Sequence, residues 1–321
     1  MLKFKRTLSI IIILSLTLTL FGCGSSKKDS KDTSANTKTE KQTLNIGLMP
    51  SVDAVPFIIA KDKGFYEKNG VDVKLQVFKS ANDRDAALQT GNLDGVSTDE
   101  VAVCLYQNAG IDLKITGVTD GDFMLVASKQ SGIKSIADVK GKSVAISQKT
   151  VIEYSLDKML EKNSIKPEEV KKIAIPAIPA RLEMLKAGKV DLALLPEPFS
   201  SAAIKDGAVL LGKTSSEKLL PAVSAFTQKS IDNKSDAIKA FYKAYNEAVE
   251  YVNNTPISQY EDTVIKFVGY PEDMKGNIVL PKFRADVLPS DNDLNSAVKW
   301  TKDKGIVKKS LTPKDLTYKI K

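Results

Sequence analysis

Four short stretches of this chain put hydroxyls, acids and prolines where a strand would hand over to a helix. The first is Pro50-Ser51-Val52-Asp53-Ala54-Val55-Pro56, in which Ser51 and Asp53 are helix-capping types and Pro56 suits a first helical turn. The second, Ser97-Thr98-Asp99-Glu100, and the third, Thr150-Val151-Ile152-Glu153, both have capping-box spacing. The fourth, Pro196-Glu197-Pro198-Phe199, follows the apolar run Leu192 to Leu195. The first N–H groups of a helix have no partner within it and lie at its positive end. Four such ends aimed at one place would hold a small polar or anionic ligand.

The acids near these turns offer a second chemistry. Asp53, Asp99, Glu100, Asp120, Asp122, Glu153 and Glu197 could together receive a cationic or amine-bearing ligand. Capping occupies Glu100 and Glu153, which leaves Glu197 as the strongest candidate, its backbone stiffened by a proline on either side. Glu197 also reads simply as an acid favoured by a helix dipole. Arg84 and Arg181 open helices and Arg284 lies in the C-terminal region. Each could clamp a sulfonate or carboxylate through paired hydrogen bonds, but each taken alone reads first as a solvated surface arginine.

Histidine is absent, which removes Ser-His-Asp and Cys-His catalysis and the commonest metal ligand. No metal and no cofactor are expected. Cys104 falls in the apolar pattern Val101, Cys104, Leu105, the setting of a small core residue rather than of a reactive thiol. An enzyme using Cys104 as nucleophile is the alternative from another functional class. Lysines are scattered among acids, so the net charge of +8 describes a solvated surface and not a nucleic-acid stripe.

From Thr43 onward, strands and helices alternate. Strands are predicted over 44–49, 71–78 and 93–96, with helices over 55–63, 83–90 and 99–108. Strands at 143–147, 170–175 and 190–195, with helices at 150–161 and 180–187, form a second such unit. This is the pattern of α/β domains with mostly parallel sheets. Leu88-Gln-Thr-Gly91-Asn-Leu-Asp94 matches Leu185-Lys-Ala-Gly188-Lys-Val-Asp191. Each is a helix end, a glycine able to take positive φ, and an Asp opening a buried strand. Two lobes of one architecture follow. Phe123 to Ala127 and Ala222 to Phe226 read as the strands that cross between them. The helices after residue 236 (237–253, 260–267, 294–304) read as completing the first lobe.

The chain begins with Lys3, Lys5 and Arg6, then an apolar run from Thr7 to Phe21, then Gly22-Cys23. Charged, apolar and small residues in that order describe a secretory signal, and the run is too short to span a bilayer. Its end resembles a bacterial lipobox, with Phe21 a departure from the usual small residue. By that resemblance Cys23 carries a lipid and becomes the mature N-terminus. Residues 24 to 42 are polar and aperiodic, a tether.

The stretch 44–73, with Lys63-Gly64-Phe65-Tyr66 and Asn69-Gly70-Val71-Asp72-Val73, resembles the solute-binding proteins of nitrate, sulfonate and taurine ABC transporters. Ile136-Ala137-Asp138-Val139-Lys140-Gly141-Lys142 and Glu197-Pro198 fit the same family. The resemblance implies an α/β, two-lobed type II periplasmic-binding-protein fold with a two-strand hinge. It divides the chain into a signal (1–22), a tether (23–42), lobe 1 (43–125 plus 226–321) and lobe 2 (126–225). By position, ligand contacts fall on Ser51, Val52, Asp53, Ser97, Thr98, Thr150, Val151 and Glu197. It further implies an extracytoplasmic, lipid-anchored monomer that delivers its solute to a membrane permease. A sulfonate, nitrate or taurine-class anion is the expected solute; a neutral or cationic heteroaromatic such as a thiamine pyrimidine precursor, held by Glu197, is the alternative.

Overall fold

The computed structural model describes residues 41–320. The signal segment, Cys23 and the tether up to residue 40 lie outside the described residues. In chain order the strands are β1 (Thr43–Leu48), β2 (Asp72–Val77), β3 (Gly95–Asp99), β4 (Leu113–Val118), β5 (Phe123–Ala127), β6 (Ser143–Ile146), β7 (Lys171–Ala174), β8 (Leu192–Pro196), β9 (Val209–Lys213) and β10 (Ala222–Thr227). They form two five-stranded sheets, ordered β2-β1-β3-β10-β4 and β7-β6-β8-β5-β9. The two orders are equivalent. In each, three parallel strands are followed by one antiparallel strand that arrives from the other lobe.

The helices are α1 (Val55–Asp62), α2 (Phe65–Lys68), α3 (Ala81–Gln89), α4 (Glu100–Asn108), α5 (Val151–Lys162), α6 (Ile178–Lys186), α7 (Phe199–Lys205), α8 (Gln228–Asn233), α9 (Ser235–Asn254), α10 (Glu261–Val268), α11 (Asp291–Asp303) and α12 (Pro313–Leu316). Helices α1, α2, α9 and α10 cover one face of the first sheet. Helix α9 buries Ile238, Phe241, Tyr245, Val249 and Val252 at helical spacing, with Tyr245 4.9 Å from Phe57 of α1, centroid to centroid. Helices α3, α4, α11 and α12 cover the other face. In the second sheet α5 packs on one side and α6 and α7 on the other. Covering both faces buries the central strands entirely: every residue of β3 and β8 is buried.

Gly91 (φ +77°) and Gly188 (φ +64°) end α3 and α6 in the left-handed region that a glycine adopts at little cost. The matched acids that follow also do the same work. Asp94 accepts the N–H of Asn45 at 2.9 Å and Asp191 that of Ser143 at 2.8 Å, each tying one strand start to its neighbour.

Two expectations are corrected, and three elements were not anticipated. Strands β5 and β10 do not run between lobes: β5 lies wholly in the second sheet and β10 wholly in the first. The crossings are the short connectors 119–122 and 214–221, pinned together where Asp122 accepts Thr214 Oγ1 (2.6 Å) and the N–H of Ser215 (3.0 Å). Helix α11 does not serve the first lobe alone. Its Trp300 packs into the second lobe's core and donates Nε1–H to Asp157 of α5 at 3.0 Å, and Lys304 reaches Asp157 (2.9 Å) and Glu153 (3.1 Å). Strands β4 and β9 and helix α7 escape the sequence pattern. The strands carry lysines among their apolar residues, and α7 is only seven residues long.

Candidate functional site

A cavity lies between the lobes, lined from lobe 1 by the β1–α1 turn, the start of α3 and the end of β3, and from lobe 2 by the starts of α5 and α6. The connector residues Gly121 and Asp122 close its back. It therefore sits beyond the carboxyl ends of parallel strands in both sheets, where open α/β folds bind ligands.

On the lobe 1 side, Asp53 is buried and accepts three hydroxyls: Ser51 Oγ, Ser97 Oγ at 2.6 Å and Thr119 Oγ1 at 3.3 Å. Ser97 lies inside a central strand with both faces covered, so its hydroxyl needs a partner, and Asp53 supplies it. Asp99 ends β3 and caps α4, accepting the N–H of Ala102 at 2.7 Å. Burial pushes its carboxyl up to about 6, and Arg84 and the Ala102 N–H offset this only in part. Thr98 Oγ1 is buried and has no hydrogen-bond partner.

On the lobe 2 side, Thr150 caps α5, its Oγ1 accepting the N–H of Ile152 at 3.2 Å and donating to Ser147 O at 2.8 Å. Arg181 is 1% exposed. Its Nη1 donates to the carbonyls of Ile175 and Pro176, both at 3.0 Å, while its Nε–H is buried without a partner. Burial with no carboxylate beside it pulls its pKa down to about 10. A buried cation left unpaired is costly, and it lines a cavity. Arg84, across the same cavity, is equally buried but balanced: Nε and Nη2 both bond Asp85 Oδ1, at 2.9 and 2.7 Å.

Of the expected contacts, Ser51, Asp53, Ser97, Thr98, Thr150 and Val151 line this one cavity. Val52 does not; it belongs to the hydrophobic core of lobe 1. Glu197 does not either, although its neighbour Pro196 does. Its oxygens turn back to Ser201, taking Oγ at 2.7 Å and the N–H at 3.3 Å. The expected caps are also revised. Ser51 and Ser97 spend their protons on Asp53, Asp99 replaces Ser97 as the cap of α4, and Glu100 Oε1 has no partner. Glu153 accepts from the N–H of Lys149 (2.8 Å), one residue outside the expected box.

The two arginines are what the sequence left as surface residues. A signal for them existed. Extending the matched segments four residues back gives Arg84-x-x-x-Leu88-x-x-Gly91 and Arg181-x-x-x-Leu185-x-x-Gly188, so the arginines occupy the same place in the two lobes. Polarity hid them, because an arginine in a helical pattern is indistinguishable from a solvated one until tertiary packing buries it.

Cys104 is buried on α4, and burial pushes its thiol up to about 12. The thiolate is the reactive form. Labelling of Cys104 by a maleimide at pH 7.5 should therefore be negligible in the native protein and complete in denaturant; rapid native labelling would contradict this placement. Among the described residues no group of three His, Cys, Asp or Glu is placed to hold a metal, and no helix is long and apolar enough to cross a membrane.

The fold recurs in solved structures. The periplasmic aliphatic sulphonate binding protein SsuA from Escherichia coli superposes with a TM-score of 0.74 at 18% identity, covering 87% of this chain and 92% of that one. The desulfurization enzyme DSZB superposes at 0.63 with 13% identity, over 87% of this chain and 97% of that one, so the scaffold also carries an enzyme. The architecture is thus the periplasmic-binding-protein fold. In sequence, a protein of Bacillus subtilis (strain 168) named for aliphatic sulfonate binding is 27% identical over 249 residues, 75% of this chain and 72% of that one. The NMT1/THI5-like sequence model matches residues 51–258, which contain every strand but β1 and all of the cavity lining but Met49, and by that match the chain belongs to the NMT1/THI5-like family.

Proposed function

We propose that this protein is an extracytoplasmic solute receptor of an ABC importer, anchored through a lipid on Cys23, and that it captures a small organic anion of the sulfonate, nitrate or taurine class between its lobes. The observation that carries the anionic reading is Arg181: a guanidinium buried beside a cavity, with no carboxylate to balance it and an unused N–H. A sulfonate or carboxylate would supply the missing charge. The names of the SsuA neighbour and of the Bacillus subtilis relative support the same class. The heteroaromatic alternative loses its proposed anchor, because Glu197 faces away from the cavity. A receptor rather than an enzyme is favoured by the burial of Cys104 and the lack of histidine.

Ligand that touches both lobes favours the closed arrangement over any open one, since only differential contact shifts such an equilibrium. The test is a melting-temperature screen with alkanesulfonates, aminosulfonates, nitrate and short carboxylates. A true ligand at a hundred times its Kd stabilises by roughly 2.7 kcal/mol, a rise of several degrees. The chain's single tryptophan, Trp300, bonds α11 to α5 across the lobes, so its fluorescence should change in the same titration. A screen in which no anion moves either signal ends the reading.

A further inference from the structure

The Glu197-Pro198 turn is not part of the cavity, yet it faces the other lobe. Glu197 follows β8 directly, and its carboxylate spends two of its roughly four acceptor sites on Ser201. Tyr270, just after α10, belongs to the hydrophobic core of lobe 1 and is 4% exposed. Its phenol oxygen is buried and, among the described residues, has no hydrogen-bond partner. Burial, with the Glu197 carboxylate adding to it, holds that phenol above its ordinary value, so the two groups are neighbours across the lobe boundary. The segments that carry them already meet. Lys205, one turn beyond Ser201 on α7, pairs with Asp273 and donates to its carbonyl at 3.1 Å. Met49, which follows β1, packs against the α6–α7 core of lobe 2 as well.

We propose that Tyr270 and Glu197 are the two halves of a clasp: as the cleft closes on its solute, the Tyr270 hydroxyl donates to the Glu197 carboxylate and ties lobe 1 to lobe 2 outside the cavity. This rests on the receptor reading above and adds a source of affinity that the solute does not touch. An unpaired O–H in a core is costly, and a carboxylate is the strongest kind of acceptor it can meet. The bond exists only in the closed arrangement, so it shifts the equilibrium between open and closed, and apparent affinity follows the closed fraction. Neither side chain lines the cavity, so the clasp does not distinguish one solute from another. Selection stays with cavity residues such as Arg181. The exposed Lys205–Asp273 pair is worth little by itself and serves to hold the two segments side by side. The clasp gives Glu197 a role that solute contact does not.

Tyr270→Phe tests it, since it removes the hydroxyl and keeps the ring. Titration calorimetry with ethane- to hexanesulfonate, nitrate and acetate compares the variant with the wild type, alongside melting curves without solute. Every solute that binds should bind about tenfold more weakly, by the same factor for each. The solute-free melting temperature should stay the same or rise, because a buried hydroxyl without an acceptor adds no stability. In a Glu197→Ala background, Tyr270→Phe should cost less than twofold, the non-additivity of a contacting pair. Unchanged affinity in Tyr270→Phe would overturn the clasp and leave the receptor reading intact. So would a loss confined to one class of solute, which would make Tyr270 a solute contact, or a lower solute-free melting temperature, which would show its hydroxyl already paired. No binding of any of these solutes by the wild type would end both readings.

Discussion

Arg181→Met should weaken binding of the anionic solute by at least about 100-fold and, in the same protein, raise the ligand-free melting temperature. The two effects have one cause. A desolvated guanidinium without a carboxylate pays the cost of burial and recovers little of it from two carbonyls 3.0 Å away. Methionine fills similar volume and carries no charge, so the empty protein gains. The solute loses a charge-assisted, two-pronged contact, and losing such a buried partner costs roughly 2–5 kcal/mol. Arg84→Met is the control: there the loss strands Asp85, so the empty protein should be destabilised instead. Melting curves with and without ligand decide the matter. If Arg181→Met melts lower than the parent and binds as well, Arg181 is structural and the anion site lies elsewhere.

Glu100→Gln should stabilise the protein strongly in mild alkali and hardly at all in acid. Glu100 is 1% exposed and its Oε1 has no partner. Burial, with Asp293 and Asp99 adding to it, raises its pKa from 4.5 to about 8. An acid whose folded pKa is raised keeps the fold fully stable below its unfolded pKa. That stability is lost as pH rises through the folded value. The wild type should therefore lose on the order of 4 kcal/mol between pH 4.5 and pH 9 from this one group. The glutamine cannot ionise and should not lose it. Asp99 and Asp286, both raised to about 6, add slopes that persist in the variant, so the quantity to measure is the difference between the two proteins' urea-unfolding curves. Parallel stability-against-pH profiles would show that Glu100 reaches water or a partner.

The antiparallel strands show why the lobe boundaries were misplaced. Phe123 to Ala127 and Ala222 to Phe226 are apolar runs of strand length, and an apolar run says that a strand is buried without saying in which sheet. Pairing with β8 and β9, or with β3 and β4, decides that, and the partners lie far along the chain. Residues 97–100 show the same limit at finer scale. Capping-box spacing is a local signal, yet Ser97 has a stronger partner in Asp53, which only the β1–β3 pairing brings within 2.6 Å.

What the sequence determined by itself was everything set by neighbours along the chain: the strand–helix alternation, the glycine-ended helices α3 and α6, and the turns that carry Ser51, Thr98 and Thr150 to one end of each sheet. Periodicity and backbone sterics act over a few residues, so they can be read there. Only the tertiary structure decided which polar groups are satisfied. Glu197 found Ser201 and left the cavity, Asp99 displaced Ser97 as a cap, and Arg181 was buried without an acid while its counterpart Arg84 gained one. Solvation and charge balance belong to the assembled fold, because they depend on which groups packing brings together and shields from water.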